Sequence, residues 1–166
     1  MRAPGNQRIK ASFHETFRLD RSRLTEVLRV AKNGGFSRAE LEEASTSLGK
    51  NMRRAFPRWG VGVGLLQVNK NRYCLSAFGE KSLGHDPALH HLDTQWLMHY
   101  HLCAPAGPGP AFWHYIFAEA IRPAKPFTRG EIEDAIKAVY AENLGDKLVQ
   151  STATVFLRTY TDSAGL

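Results

Sequence analysis

The first part of the chain carries apolar residues at helical spacing. Within residues 21–32 they recur at i, i+3, i+4 and i+7, which predicts an amphipathic helix ended by the Asn-Gly-Gly that follows. Ser37 and Glu40 stand at capping-box spacing and predict the start of a second helix. A third helical pattern begins near Lys50, with apolar residues on one face and asparagine and arginines on the other.

Two short strand-like runs follow the third helical pattern. Residues 65–68 and 72–75 contain mainly strand-forming residues, and a polar turn with Lys70 near its tip separates them. Three helices followed by a hairpin are typical of a winged helix-turn-helix, in which the third helix contacts DNA and the hairpin is the wing. Pro57 lies inside the third helix and is expected to break or kink it near residues 53–56.

The second half of the chain is richer in aromatic residues and histidine. Asp93 is expected to cap a helix that has Trp96, Leu97 and Tyr100 along one side. A Pro/Gly-rich linker then precedes a further helical stretch at 112–121. These patterns extend the helical prediction through the middle of the chain.

Two more helices are predicted near the end of the chain. Thr128 and Glu131 repeat the capping-box spacing ahead of an amphipathic pattern, and Asp146 opens the last helix. Together they predict a second helix-turn-helix-like unit within residues 127–160. The chain stops where a wing would follow, so either this unit has no wing or the sequence is truncated from a longer protein.

The predicted fold is mainly α, with a winged helix-turn-helix DNA-binding region at 1–84 and a helical region at 85–166 that holds the second unit. Charge is divided unevenly between the halves. Residues 1–83 hold 16 Lys and Arg against 7 Asp and Glu, whereas residues 84–166 hold 6 against 9. Positive charge concentrated on one part of a small protein usually indicates a polyanionic partner, most commonly a nucleic acid.

The composition excludes several other classes of protein. With 166 residues, of which 43% are hydrophobic, the chain can bury a core without metal ions or disulfides. No apolar run approaches the ~20 residues that cross a bilayer, and the basic N-terminus lacks the apolar segment of a signal peptide. The two cysteines, Cys74 and Cys103, suit a reducing compartment. We therefore predict a cytoplasmic protein with no membrane partner.

Basic residues gather on the third predicted helix and the hairpin. Phosphate binding needs several cationic donors on one surface, and base recognition needs Arg or Asn side chains that make paired hydrogen bonds. The alternative is an ordinary solvated helix face, but no acidic residue interrupts residues 50–58. The predicted DNA-binding residues are Lys50, Asn51, Arg53, Arg54, Arg58, Lys70 and Arg72.

Candidate chemistry is sparse. His14 beside Glu15 could perform acid–base catalysis or contribute to a metal site, and it could equally cap the first helix and pack the neighbouring phenylalanines into the core. The five histidines within residues 85–101 lack the spacing of a metal site. Motifs of common hydrolases, NTPases and redox enzymes are absent from the sequence, so we predict no metal-ligating set and no evident cofactor.

Four short motifs connect the sequence with a known bacterial family. They are His-Glu-Thr-Phe at 14–17, Gly-Lys-Asn-Met at 49–52, Trp-Leu-Met-His-Tyr-His-Leu at 96–102 and Val-Phe-Leu-Arg-Thr-Tyr at 155–160. With these motifs in this order, the sequence resembles the SspB-like family of DNA phosphorothioation (Ssp) defence systems, formerly a family of unknown function. The resemblance spans nearly the whole chain, and family members are longer.

The resemblance implies a DNA-binding protein that nicks one strand in phosphorothioation-based phage defence, with His14 and Glu15 as the catalytic candidates. The implied partners are double-stranded DNA, a cysteine desulfurase, an ATP pyrophosphatase-like enzyme and an ATPase. The resemblance leaves open whether nicking requires a divalent metal ion. Two alternatives also stay open: a non-catalytic DNA-binding module that recruits the sulfur-transfer enzymes, and a protein–protein scaffold.

Overall fold

A computed structural model describes residues 8–45, 47–122, 125–140 and 144–166. Helices predominate, which confirms the mainly α prediction, and the described strands form one antiparallel hairpin. The helices are α1 (Arg21–Ala31), α2 (Arg38–Ala44), α3 (Met52–Gly62), α4 (Ala77–His85), α5 (Leu92–Cys103), α6 (Ala111–Tyr115), α7 (Arg129–Tyr140) and α8 (Asp146–Thr161). The strands β1 (Leu66–Asn69) and β2 (Arg72–Leu75) lie between α3 and α4. None of the described helices has the length and apolar character that a membrane span requires.

The predicted start of α2 is confirmed in detail. The Ser37 hydroxyl accepts the N–H of Glu40, and the Glu40 carboxylate accepts the N–H of Ser37, which is a complete capping box. The hydrogen bond from the Ser37 N–H, followed by that from Arg72, lowers the pKa of Glu40 to about 2. Arg72 comes from β2, so the hairpin and the start of α2 are joined by this ion pair.

The hairpin has the tight turn that its sequence predicts. Lys70 and Asn71 have φ values of 47° and 63°, which match a two-residue type I′ turn. A backbone bridge between Phe36 and Tyr73 attaches the hairpin to the loop before α2. The three helices and the hairpin therefore occur in the predicted order.

Of the break or kink expected at Pro57, the break does not occur. The helix α3 runs through Pro57 to Gly62, and Pro57 is buried. Proline has no N–H to donate within the helix, but the hydrogen bonds on either side persist, from Ala55 N–H to the carbonyl of Asn51 and from Val63 N–H to the carbonyl of Trp59.

The region after the hairpin differs from the sequence prediction in two respects. The helix α4 was not predicted, and Ser76 caps it by accepting the N–H of Gly79. The helix α5 begins at Leu92 with His91 as its N-cap residue, so Asp93 lies in its first turn and does not cap it. Instead, the Asp86 carboxylate accepts the N–H groups just before the helix. The predicted side with Trp96, Leu97 and Tyr100 is the solvent-exposed side of α5.

The last helices agree with the sequence. The predicted stretch at 112–121 forms α6 followed by a wider π-type turn at Ile116–Ala120. Thr128 and Glu131 make the predicted reciprocal capping bonds, and α8 starts at Asp146 as expected. The helices α7 and α8 pack against each other.

Aromatic side chains from both halves of the chain share one core. The Trp59 ring from α3 packs edge-on against Trp113 from α6 with 5.6 Å between ring centroids. Trp113 in turn contacts Phe156 from α8 at 5.0 Å, and both tryptophans are fully buried. This aromatic core crosses the predicted boundary between residues 84 and 85, and it fixes α3 relative to the second half.

Candidate nucleic-acid interface

The turn after the 3-10 segment Ala11–His14 has an unusual backbone. Glu15 and Thr16 have φ values of 46° and 72°, in the left-handed region that residues other than glycine rarely adopt. Two hydrogen bonds hold the turn: Thr16 N–H donates to Nδ1 of His14 at 2.9 Å, and Phe17 N–H donates to the His14 carbonyl at 2.7 Å. The direction of the Glu15 side chain is therefore set by the fold.

The His14 ring points into the protein. It is 1% exposed, and its Nε2 lies 3.0 Å from the Thr152 hydroxyl of α8. Because Nδ1 accepts the Thr16 N–H, Nε2 carries the proton and donates to Thr152. Burial lowers the pKa of His14 to about 4, although the charge of Glu15 opposes this shift. Of the two alternatives for His14, this geometry favours packing over acid–base catalysis, because the ring is neutral and faces the core.

The Glu15 side chain points away from the core and contacts two arginines of α3. Its Oε1 lies 3.3 Å from Nη2 of Arg54 and 3.2 Å from Nη1 of Arg58. The two arginines are about two-fifths exposed, with 39% and 38% of their side chains accessible, against 22% for Glu15. One carboxylate therefore faces two guanidinium groups, and a positive charge stays uncompensated at the surface.

The positions of these arginines follow from helix geometry and from one anchor. Arg54 and Arg58 are four residues apart on α3, so their side chains lie on the same face. The next residue, Trp59, is fully buried and its Nε1–H donates to the Phe17 carbonyl at 3.0 Å. This bond ties α3 to the turn that carries Glu15.

The same residues line a cleft of about 460 Å³ between α3 and the N-terminal segment. Arg8 and Lys10 also line it, so the lining holds four cationic side chains and one carboxylate. The guanidinium of Arg8 donates to the carbonyl oxygens of Ala104 and Pro105. Its Nη1 is buried, and no side chain or carbonyl in the described part of the chain accepts from it.

The other two predicted DNA-binding arginines also pair with carboxylates of the protein. Arg53 is 19% exposed, pairs with the Glu42 carboxylate at 3.3 Å and reaches the carbonyl of Ser45 at 3.4 Å. Arg72 pairs with Glu40 at 2.9 Å. Both carboxylates belong to α2, so Arg53 connects α2 to α3 and Arg72 connects α2 to the hairpin.

The remaining predicted residues are exposed but spread out. Lys50 and Asn51 lie just before α3, and Lys70 lies at the tip of the hairpin. A smaller groove of about 70 Å³ is lined by Arg38 together with Arg53, Arg54 and Arg58. Arg8, Lys10 and Arg38 were not predicted from the sequence, because each lies far from α3 in the chain.

The second half contains an apolar cavity and a half-buried thiol, neither of which suggests catalysis. The cavity, about 300 Å³, is lined mainly by aromatic and aliphatic side chains beside the exposed face of α5. Burial raises the pKa of the Cys103 thiol to about 12, which keeps it protonated. No group of three or more His, Cys, Asp or Glu side chains that could hold a metal ion is found within 8–45, 47–122, 125–140 and 144–166.

Comparisons with known proteins agree with the predicted resemblance. A crystal structure of magnesium ion-bound SspB matches with a TM-score of 0.69 at 19% sequence identity, over 91% of this chain and 49% of that chain. A second SspB crystal structure matches with a TM-score of 0.71 at 18% identity and the same coverage. The chain thus has an SspB-like fold and spans about half the length of those SspB chains, whereas no functionally curated protein matches it. A family model described as "Protein of unknown function (DUF4007)" matches residues 12–165, and the chain therefore belongs to the DUF4007 family.

Proposed function

We propose that this chain is a DNA-binding unit of an SspB-like phosphorothioation system. In this proposal the exposed face of α3 contacts the phosphates of duplex DNA. The observation that carries it is the charge imbalance on that face, where Arg54 and Arg58 share a single carboxylate oxygen of Glu15. The order of three helices and a hairpin, as in winged helix-turn-helix proteins, adds support.

Within this proposal, the exposure and the ion pairs of the predicted residues divide them into two groups. Lys50, Asn51 and Lys70 are exposed, and Arg54 and Arg58 are about two-fifths exposed. Arg53 and Arg72 each pair with a carboxylate of their own and also donate to backbone carbonyls, whereas Arg54 and Arg58 share the single carboxylate of Glu15. We therefore assign phosphate contacts to Arg54 and Arg58, and we assign Arg53 and Arg72 to holding α2, α3 and the hairpin together.

A binding titration tests this proposal. Fluorescence anisotropy with a duplex of about 20 base pairs, measured at several salt concentrations in EDTA, gives both the affinity and its salt slope. The double variant Arg54→Ala with Arg58→Ala is expected to bind at least about tenfold more weakly and to lower the slope by roughly 2, because two phosphate contacts are lost. Lys137→Ala with Lys147→Ala removes the same charge from α7 and α8 and serves as the matched control. Equal affinities for the wild type and the Arg54/Arg58 variant would refute the proposed surface.

Strand nicking is a second candidate function. It is favoured by one feature, a carboxylate held by a strained turn beside two arginines, since phosphodiester cleavage needs a base and stabilisation of developing negative charge. An SspB crystal structure contains a magnesium ion, so Mg²⁺ is the first cation to include. Conversion of supercoiled plasmid to open circles, with and without Mg²⁺, would be lost in Glu15→Gln if this function holds. Binding without nicking would instead favour a module that recruits sulfur-transfer enzymes, and absence of DNA binding would favour a protein–protein scaffold.

A further inference from the structure

The position of Glu15 is imposed by its backbone. Two successive residues, Glu15 and Thr16, have left-handed backbone, which is unfavourable for residues other than glycine. The hydrogen bonds to His14 hold that turn, and the buried His14 ring is in turn fixed to Thr152 of α8. The position of the Glu15 carboxylate beside the arginines is thus fixed by a turn that is anchored to the buried His14 ring.

The place that Glu15 occupies suits a phosphate group. Both arginines contact the same oxygen, Oε1, so each uses one terminal nitrogen of its guanidinium on this carboxylate. A guanidinium carries five N–H donors in a planar fork and binds carboxylate and phosphate oxygens by the same geometry. The cleft beyond Glu15 stays cationic, because Arg8 and Lys10 line it.

We propose that Glu15 is an internal counter-anion that competes with a phosphate for Arg54 and Arg58. This inference rests on the proposed function for the identity of the phosphate, which is that of a DNA backbone. In the free protein Glu15 neutralises part of the charge of the cleft, and a bound phosphate takes over its contacts with the arginines. Glu15 therefore weakens DNA binding, and it limits occupancy of the cleft to ligands that bring further phosphate contacts of their own.

The substitution Glu15→Gln tests the competition. The amide oxygen of glutamine can still accept hydrogen bonds from both arginines, so their positions are retained while the negative charge is removed. At a separation of about 5 Å and with the screening of bulk water, removal of one repelling charge is expected to raise the affinity for duplex DNA by about fourfold, and by more where the bound duplex excludes water. The salt slope is expected to steepen by about 1, because the cleft gains one net positive charge for phosphates to neutralise.

Two further variants sharpen the experiment. Glu133→Gln neutralises a carboxylate that pairs with Arg129 on α7, and it is the matched control for the loss of one negative charge. Glu15→Asn removes the same charge with a residue that tolerates left-handed backbone, so it replaces Glu15→Gln if that variant does not fold. All titrations are made in EDTA, so that binding is measured without any cleavage.

The possible outcomes separate this inference from the proposed function. Tighter binding and a steeper slope for Glu15→Gln, but not for Glu133→Gln, support the competition. Unchanged or weaker binding, with the Arg54/Arg58 double variant still impaired, overturns the competition and leaves the DNA-binding proposal standing. If neither the wild type nor any variant binds DNA, the proposed function fails. Thermal denaturation with inorganic pyrophosphate then tests whether Glu15 competes with an anion. Greater stabilisation of Glu15→Gln than of wild type then supports an anion site that Glu15 occupies, and equal shifts overturn it.

Discussion

The buried His14 ring is expected to make the stability of the protein depend on pH. Its pKa in the folded protein is about 4, against 6.5 for an unperturbed histidine. Between these two values the unfolded chain binds a proton that the folded protein does not, so the free energy of unfolding falls as the pH is lowered. The part of the free energy of unfolding that comes from the neutral His14 ring is fully present above about pH 6.5, and it is lost progressively as the pH falls toward 4.

The magnitude follows from the size of this shift. Each unit of pKa difference corresponds to about 1.4 kcal/mol, so the full effect across the range is about 3 kcal/mol. Lowering the pH from 7 to 5 is expected to remove about 2 kcal/mol of the free energy of unfolding through His14 alone. In the variant His14→Gln this contribution is absent, because glutamine does not titrate.

Urea denaturation followed by tryptophan fluorescence at pH 7, 6 and 5 measures the effect. The loss of stability between pH 7 and pH 5 is expected to be about 2 kcal/mol smaller in His14→Gln than in the wild type. Burial also lowers the pKa of His99 and His101, but both residues are present in both proteins and cancel in the comparison. His85 is exposed, and His85→Gln is the control. Parallel pH profiles for wild type and His14→Gln would refute the assignment of His14 as a buried neutral residue.

Two further predictions concern helix stability and can be checked by urea denaturation. In α4, a Cβ on Gly79 would overlap the carbonyl oxygen of Leu65, whereas a Cβ on Gly84 meets nothing within 4 Å. Gly79→Ala is expected to lower the free energy of unfolding by about 1–3 kcal/mol and Gly84→Ala to raise it by up to about 1 kcal/mol, and equal effects would contradict this packing. Ser37→Ala removes one half of the capping box with Glu40 and is expected to cost about 1 kcal/mol, and an unchanged urea midpoint would show that the cap contributes nothing.

The sequence predicted those elements whose signal is local. The helix at 21–32, both capping boxes and the hairpin each depend on spacing within a few residues, and the structure confirms them. The exposed side of α5 was harder to foresee, because Trp96 and Tyr100 are apolar and yet face solvent, while Thr94 is among the buried residues of the helix. Where apolar residues surround a helix, periodicity does not identify the buried side.

The candidate site was only partly predictable, because its decisive contacts are distant in sequence. The arginines of α3 have no acidic neighbour in the chain, but folding brings Glu15 to Arg58 across 43 positions. Likewise, the packing of His14 against Thr152 spans 138 positions, so the sequence left its two alternatives open. The positive charge of α3 was correctly foreseen, whereas the degree to which the fold compensates it was not.

The ring-to-ring packing of Trp59 on Trp113 has a consequence for engineering hybrids of this family. Interiors are close-packed, so two surfaces that meet must be shaped for each other. A chimera joining the first half of this chain to the second half of a relative at 19% identity would pair indole surfaces that were never selected together. Such hybrids are expected to need compensating substitutions where the two tryptophans meet before they fold as stably as either parent.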